Sequence, residues 1–285
     1  MSTAPLEVYR HSGRFTPSGL VLPLVGAAAF AFPLGLVYSH LIGKIPFIYV
    51  NVLITLGYGL SLGWIARLFV RAGRVRNPAM ALLIGGLGGL LGLYFNWSGH
   101  LRVIFQGGPW LYGPEEILNV IPFLYGHGSW GLKSGGNVTG AALAAIWSLE
   151  AVIIVGAAAF LPWRFVARTP FSEADQAWLD QRLVIDTLQA ITDPAARAAV
   201  ATGDLAPLAS LPARAEDDAQ FTRLVVRRHP TASALCTLRV QDVHLTWDAN
   251  NRVKERTIDL TGERVLPAAQ AGLLARAQQI APAKA

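Results

Sequence analysis

Residues 140–163, GAALAAIWSLEAVIIVGAAAFLPW, are long and apolar enough to cross the hydrocarbon core of a bilayer as a helix. A chain crossing hydrocarbon must satisfy its own N–H and C=O groups, so a helix is the only form open to this run. One ionisable residue, Glu150, stands near its middle, roughly 15 Å in if the helix begins at Gly140. A carboxyl at that depth is costly and asks for a polar neighbour.

Three earlier apolar runs repeat the pattern. The first spans 19–41 behind Arg10 and Arg14 and contains Pro23 and Pro33, which are expected to bend it. Its polar start resembles the n-region of a signal peptide, but the apolar run continues far past a cleavage site near Ala27, so an uncleaved helix is expected. The second starts at Pro46, reaches about Phe69, and carries Asn51, Thr55, Tyr58, Ser61 and the pair Gly59-x3-Gly63. The third begins at Asn77-Pro78 and ends near Trp97. Its core, GGLGGLLG, holds Gly85-x3-Gly89 and Gly88-x3-Gly92, spacings that flatten one helix face for close approach of another helix.

Charge is divided unevenly. Residues 1–169 hold 11 Lys+Arg against 4 Asp+Glu, whereas residues 170–285 hold 13 against 14. The basic excess therefore belongs to the membrane half, where it flanks apolar runs rather than forming the basic face that nucleic acid requires. Arg10, Arg14, Arg67, Arg71, Arg74, Arg76, Arg164 and Arg168 fall on one side of the four spans; Lys44, Arg102 and Lys133 fall on the other. This asymmetry predicts both termini in the cytoplasm. Four Lys against twenty Arg, with abundant Ala, suits a bacterium with a GC-rich genome and hence its inner membrane.

Residues 98–139 read as a long loop on the far side, rich in glycine and in Trp110, Tyr112, Phe123, Tyr125 and Trp130, as in segments at a bilayer interface. Within it, Gly113-Pro114-Glu115-Glu116 marks a helix start, and Pro122 is expected to end that helix.

After Pro170 the chain reads as a small cytoplasmic α+β domain, 170–285, with an antiparallel sheet. Ser172-x-x-Asp175 resembles a capping box opening a helix to about Ile191, on which Ala177, Trp178, Val184, Ile185, Leu188 and Ile191 have helical spacing. Asp193-Pro194 begins a second helix, and a Pro/Ala/acid-rich link spans 203–219. Period-two alternation marks strands at 221–228 and 235–247, the latter with a phase slip at Gln241-Asp242 that suggests a bulge or turn. Asp248 to Asn251 form a hairpin turn before a strand at 252–260, and 267–280 read as a last helix. The single cysteine, Cys236, excludes an intrachain disulfide and suits a buried thiol.

Two sets of residues carry candidate chemistry. Glu150, with Tyr58, Thr55 and Asn51 as the polar groups of similar depth, forms an intramembrane polar set, either hydrogen-bonded glue between helices or a proton or cation site. His100, Glu115, Glu116 and His127, with His40, form a far-side set whose spacing matches no zinc signature. The glycines Gly59, Gly63, Gly85, Gly88, Gly89 and Gly92 are expected at helix contacts, within the chain or between copies. P-loop, dinucleotide, nucleophile-elbow and HExxH motifs are all missing, and no cofactor or metal is expected. The chain thus reads as a multi-pass membrane protein in contact with lipid. Its foremost expected role is that of a non-enzymatic subunit or regulator whose cytoplasmic domain binds a protein partner or a second copy. The alternatives are an oligomeric transporter or channel using Glu150 and a membrane enzyme using the far-side His/Glu set.

Overall fold

Apolar length turns into helix in four places. In the computed structural model, α1 (Pro17–Lys44), α2 (Ile48–Ala72), α3 (Pro78–Ile104) and the fifth helix (Gly140–Arg168) are each long and apolar enough to cross a membrane. A shorter helix, α4 (Pro114–His127), precedes that last one, α5. The structure describes residues 5–45, 47–106, 108, 110–129, 136–215, 217–229, 235–250 and 252–267. The expected helix at 267–280 lies outside them, as do Pro46, Trp130 and Lys133.

Local sequence explains the starts. Thr16 accepts a hydrogen bond from the Gly19 amide at 3.0 Å, and Asn77 accepts one from Met80 at 3.2 Å, each just ahead of a first-turn proline. Glu116 reaches back to the Gly113 amide at 3.1 Å and opens α4. Several ends differ from expectation. The first helix runs on to Lys44, α3 to Ile104, and α5 through Pro162 to Arg168. Pro122 sits inside α4 rather than ending it. A proline forfeits one backbone bond, and the surrounding turns hold the helix where packing continues on both sides. Helix therefore occupies 98–104 and 114–127 of the stretch that reads as a loop.

Contacts divide the chain into two units, Ser12–Arg168 and Met1–His11 with Thr169–Ala285. In the helical unit the glycine positions decide which helices touch. A Cβ on Gly59 would lie 2.9 Å from the Ile154 carbonyl oxygen, and one on Gly63 would lie 2.8 Å from that of Ala157. A Cβ on Gly85 would lie 2.5 Å from the Ala158 oxygen, a carbonyl left without its helical donor by Pro162. Gly89 meets Val155, Gly88 meets Ala27, and Gly92 meets Leu62 and Tyr58. All six glycines thus lie against helices of the same chain: Gly59, Gly63, Gly85 and Gly89 against α5, Gly88 against α1 and Gly92 against α2.

The second unit is an antiparallel sheet ordered β3 (Gln181–Gln189), β4 (Gln220–Arg228), β5 (Cys236–Trp247) and β6 (Val253–Asp259), with β7 (Arg264–Leu266) also paired to β5. Ahead of it, β1 (Phe171–Ser172) and β2 (Ala177–Trp178) form a small hairpin. Helices α6 (Pro194–Thr202) and α7 (Ala206–Ala209) lie between β3 and β4 in the chain. Their Val200 and Leu208 join Ile185, Leu188, Leu224, Val226, Leu238 and Val240 in one core. Residues ahead of the helical unit complete it. Leu6 is buried in this core, Val8 pairs with Arg264, and the Tyr9 amide donates to the Glu263 carbonyl at 2.9 Å.

The expected helix at 172–191 is replaced by β1, β2 and β3. Ser172 and Asp175 do bond, at 2.7 Å, but they close the four-residue turn of the β1–β2 hairpin, in which Gln176 has φ +52°. The three-residue spacing of Ile185, Leu188 and Ile191 has a different origin. A bulge between Ile185 and Leu188 inserts one residue into β3, so the next core position comes after three residues instead of two. In β5, by contrast, no bulge occurs. Register is continuous from Thr237 to His244 against β4 and from Gln241 to Trp247 against β6. The slip at Gln241-Asp242 marks where β5 exchanges β7 for β6 as its neighbour, and the apolar residues pass from one face to the other.

The opposite sheet face carries a ladder of charges. Arg223 bonds Asp186 at 2.7 Å and Glu255 at 2.5 Å, and Arg239 bonds Asp259 at 3.2 Å and Glu263 at 2.9 Å. Asp186 and Glu255 raise the Arg223 value above the usual range, and Arg223 in turn lowers that of Glu255. The Cys236 thiol is half-buried and shifted upward by that burial.

Candidate functional site

Four helices each place a polar side chain in one neighbourhood of the helical unit. From α1, the Tyr38 hydroxyl donates to Glu150 Oε1 at 2.7 Å. From α3, Asn96 Nδ2 donates to the same oxygen at 3.3 Å. Ser39, one residue beyond Tyr38, sets its hydroxyl 2.7 Å from the Gly35 carbonyl and 2.9 Å from Asn96 Oδ1, tying α1 to α3 beside this group. From α2, Thr55 Oγ1 lies 2.8 Å from the Tyr38 hydroxyl and 2.8 Å from the Asn51 carbonyl. Tyr58 stacks on Tyr38 with ring centroids 4.5 Å apart, but its own hydroxyl donates to the Gly92 carbonyl at 2.8 Å.

Tyr38, Thr55, Asn96 and Glu150 line a cavity of about 740 Å³. Its walls come from the end of α1 (Tyr38, Ile42, Lys44), the start of α2 (Ile48, Asn51, Val52, Thr55), α3 (Asn96, Trp97, His100) and α5 (Ile146, Trp147, Leu149, Glu150). Trp97 and Trp147 meet edge to face, 5.0 Å apart. Both pack against the cluster of Leu101, Ile117 and Leu124, through which α4 is attached. Asn51 Oδ1 and Ser129 Oγ, also on the wall, are buried without a hydrogen-bond partner among the described residues. Glu150 receives both of its bonds on Oε1, which leaves Oε2 as an acceptor toward the cavity.

The structure brings Glu150, Thr55, Asn51 and Tyr58 together, with Tyr38 and Asn96 inserted between them. These two donors were absent from the sequence reading. Helix ends drawn at Leu41 and Trp97 put them in the last turn of their helices. The observed ends at Lys44 and Ile104 put them about two turns in. Of the far-side set, His100 joins the cavity wall, whereas the others serve α4. Glu116 caps it, Glu115 lies in its first turn, and His127 Nδ1 approaches the Phe123 carbonyl at 3.0 Å, its ring stacked on that phenyl. His40 Nδ1 lies against the Leu36 carbonyl. Among the described residues, no three His, Cys, Asp or Glu side chains form a group that could hold a metal ion.

No protein-family model, curated protein or solved structure matches the chain. Function must then be argued from the site.

The sheet unit contains a smaller cavity, of about 280 Å³, beside Arg197, Gln220, Asp242 and His244. Asp242 is buried there and ion-paired with Arg197. Such a pair is already supplied with its counter-charge, so the larger cavity is the better candidate for a ligand.

Proposed function

We propose that this is an integral membrane protein of the bacterial inner membrane whose helical unit binds a small organic molecule in the cavity beside Glu150. The observation that carries the reading is the combination of apolar walls, two indoles and acceptors without donors in one cavity. That pattern suits a ligand site better than interhelical glue, which would leave no acceptor unused. The test is native mass spectrometry of the full chain released from membranes. Wild type should retain a small molecule, and Ile146→Trp, which fills the cavity, should lose it. Equal retention by both would overturn the reading.

We further propose that both termini lie in the cytoplasm. That they share one side has support beyond the charge count. Leu6 to Tyr9 precede the first span, yet they complete a sheet built from residues that follow the last. A body folded from both flanks of a membrane segment exists on one side only, which demands an even number of crossings, and the arginines choose the cytoplasmic side. In a Cys236→Ser background, an impermeant maleimide added outside should label Leu118→Cys and should reach Ala72→Cys only after permeabilisation. Equal labelling of the two from outside would sink this topology.

A second reading gives the sheet unit a protein partner or a second copy. It is supported by β6, all seven residues of which are exposed along a sheet edge. A photo-crosslinker at Thr257 should capture such a chain in cells; recovery of only the uncrosslinked monomer would reject it.

A further inference from the structure

We infer that the molecule taken up beside Glu150 is an amphiphile with a primary ammonium head on an apolar tail, and that it enters sideways from the lipid. The inference rests on the cavity being a ligand site and adds the ligand's chemistry and route.

The chemistry follows from Glu150. Its Oε2 accepts hydrogen bonds, and among the described residues no side chain donates to it. The two donors that do reach the carboxyl, the Tyr38 hydroxyl and Asn96 Nδ2, both bond Oε1. A ligand head that takes this place must carry a donor; an ammonium brings three and a hydroxyl one. Trp97 and Trp147 add two indoles to the same wall, the aromatic group most attractive to a cation. A carboxylate or phosphate head would instead set its own oxygens against the Glu150 carboxyl.

The route follows from the outer wall of the cavity. The α2 and α5 helices touch at Gly59 and Gly63, against Ile154 to Ala158. Toward their N-terminal ends both contribute to the cavity wall, and here Ile48, Val52 and Leu149 are 56%, 46% and 57% exposed. All three are apolar and stand on spanning helices, so the gap they frame faces acyl chains rather than water. A tail leaving through that gap stays in hydrocarbon while its head lies at Glu150. Lys44, at the end of α1, stands on the same cavity wall, where an anionic group between head and tail would find its counter-charge.

Thermal unfolding and native mass spectrometry of the full chain in detergent test both parts, with decylamine, decanol and butylamine as probes. Decylamine should raise the melting temperature of wild type, decanol should not, and Glu150→Gln should bind decylamine at least about tenfold more weakly. Glu150→Gln keeps an acceptor for Tyr38 and Asn96, and its melting temperature without amine reports whether the bundle is intact. After reconstitution in mixed vesicles, wild type should carry off phosphatidylethanolamine in preference to phosphatidylcholine. Equal response to decylamine and decanol, or an undiminished response in an intact Glu150→Gln, would overturn the ammonium head and leave the cavity reading standing. A response to butylamine as strong as to decylamine would overturn the lipid route. No response to any probe, together with equal retention by wild type and Ile146→Trp, would remove the cavity reading itself.

Discussion

Tyr38 and Glu150 are 112 residues apart in sequence, and their side chains are joined by a 2.7 Å hydrogen bond across the interior of the helical unit. Tyr38 in turn holds Thr55, and Glu150 holds Asn96, so three linked bonds tie together the four long helices. Removing it with Tyr38→Phe leaves a carboxyl oxygen short of a donor. The expected loss is about 1–2 kcal/mol in unfolding free energy, measured by steric trapping or thermal unfolding in detergent. Tyr58→Phe, which gives up only a bond to the Gly92 carbonyl, should cost about 0.5–1 kcal/mol. The reverse order would show that Tyr38 is not the central donor.

Close approach of backbones makes a second prediction. Gly63→Ala would set a methyl group 2.8 Å from the Ala157 oxygen, and Gly85→Ala one 2.5 Å from that of Ala158. Each should cost about 1–3 kcal/mol as α2 or α3 is pushed off α5. Gly57 and Gly86 have open space where a Cβ would go, so alanine there should be neutral or stabilise by up to about 1 kcal/mol. Equal melting temperatures for the four variants would contradict this packing.

The N-terminal segment gives a third. Leu6 is buried in the core of the sheet unit, and its carbonyl accepts from Arg264 at 2.6 Å. Leu6→Ala should destabilise that unit by about 2–3 kcal/mol through the cavity left behind. Hydrogen exchange should then accelerate at the Tyr9 and Val265 amides, which bridge this segment to the strand end. Protection at β7 unchanged by the substitution would mean that the segment merely rests on the sheet.

The charged sheet face predicts a pH dependence. Arg223 holds the Glu255 carboxyl below its ordinary value of 4.5. A depressed folded value means that the contribution is present above the unfolded value and fades as pH falls through the folded one. Exchange protection of β4–β6 should therefore decline below about pH 4.5, and Glu255→Gln should flatten that decline. Arg223→Ala should flatten it as well, and should cost about 1–2 kcal/mol near neutrality because two partly exposed carboxylates lose their partner.

Secondary structure was legible where a single signal dominated. Apolar length alone marked the four spans, and Asp193-Pro194 marked α6, where Asp193 accepts from Ala195 and Ala196 at 3.0 and 3.1 Å. It was illegible where two devices give the same spacing. The β3 bulge imitates a helical period, and the Ser172–Asp175 pair that caps helices also closes hairpins. Proline was misread in the other direction. Pro122 and Pro162 looked like ends, yet helix continues through both because the segments beyond them pack.

From sequence alone, then, come the apolar spans, the basic asymmetry, a sheet-bearing region after residue 170, and one carboxyl too deep to stand without neighbours. These are local properties, set by the run length and side-chain chemistry of consecutive residues. Only the tertiary structure decided which donors meet Glu150, that Leu6 belongs to a core formed mostly after residue 180, and that the N-terminal ends of α2 and α5 share a cavity wall. Such features depend on how helices rotate and in what register they pack. A slip of two residues in the register of α1 or α3 would carry Tyr38 or Asn96 about 3 Å along the axis and turn it to another face.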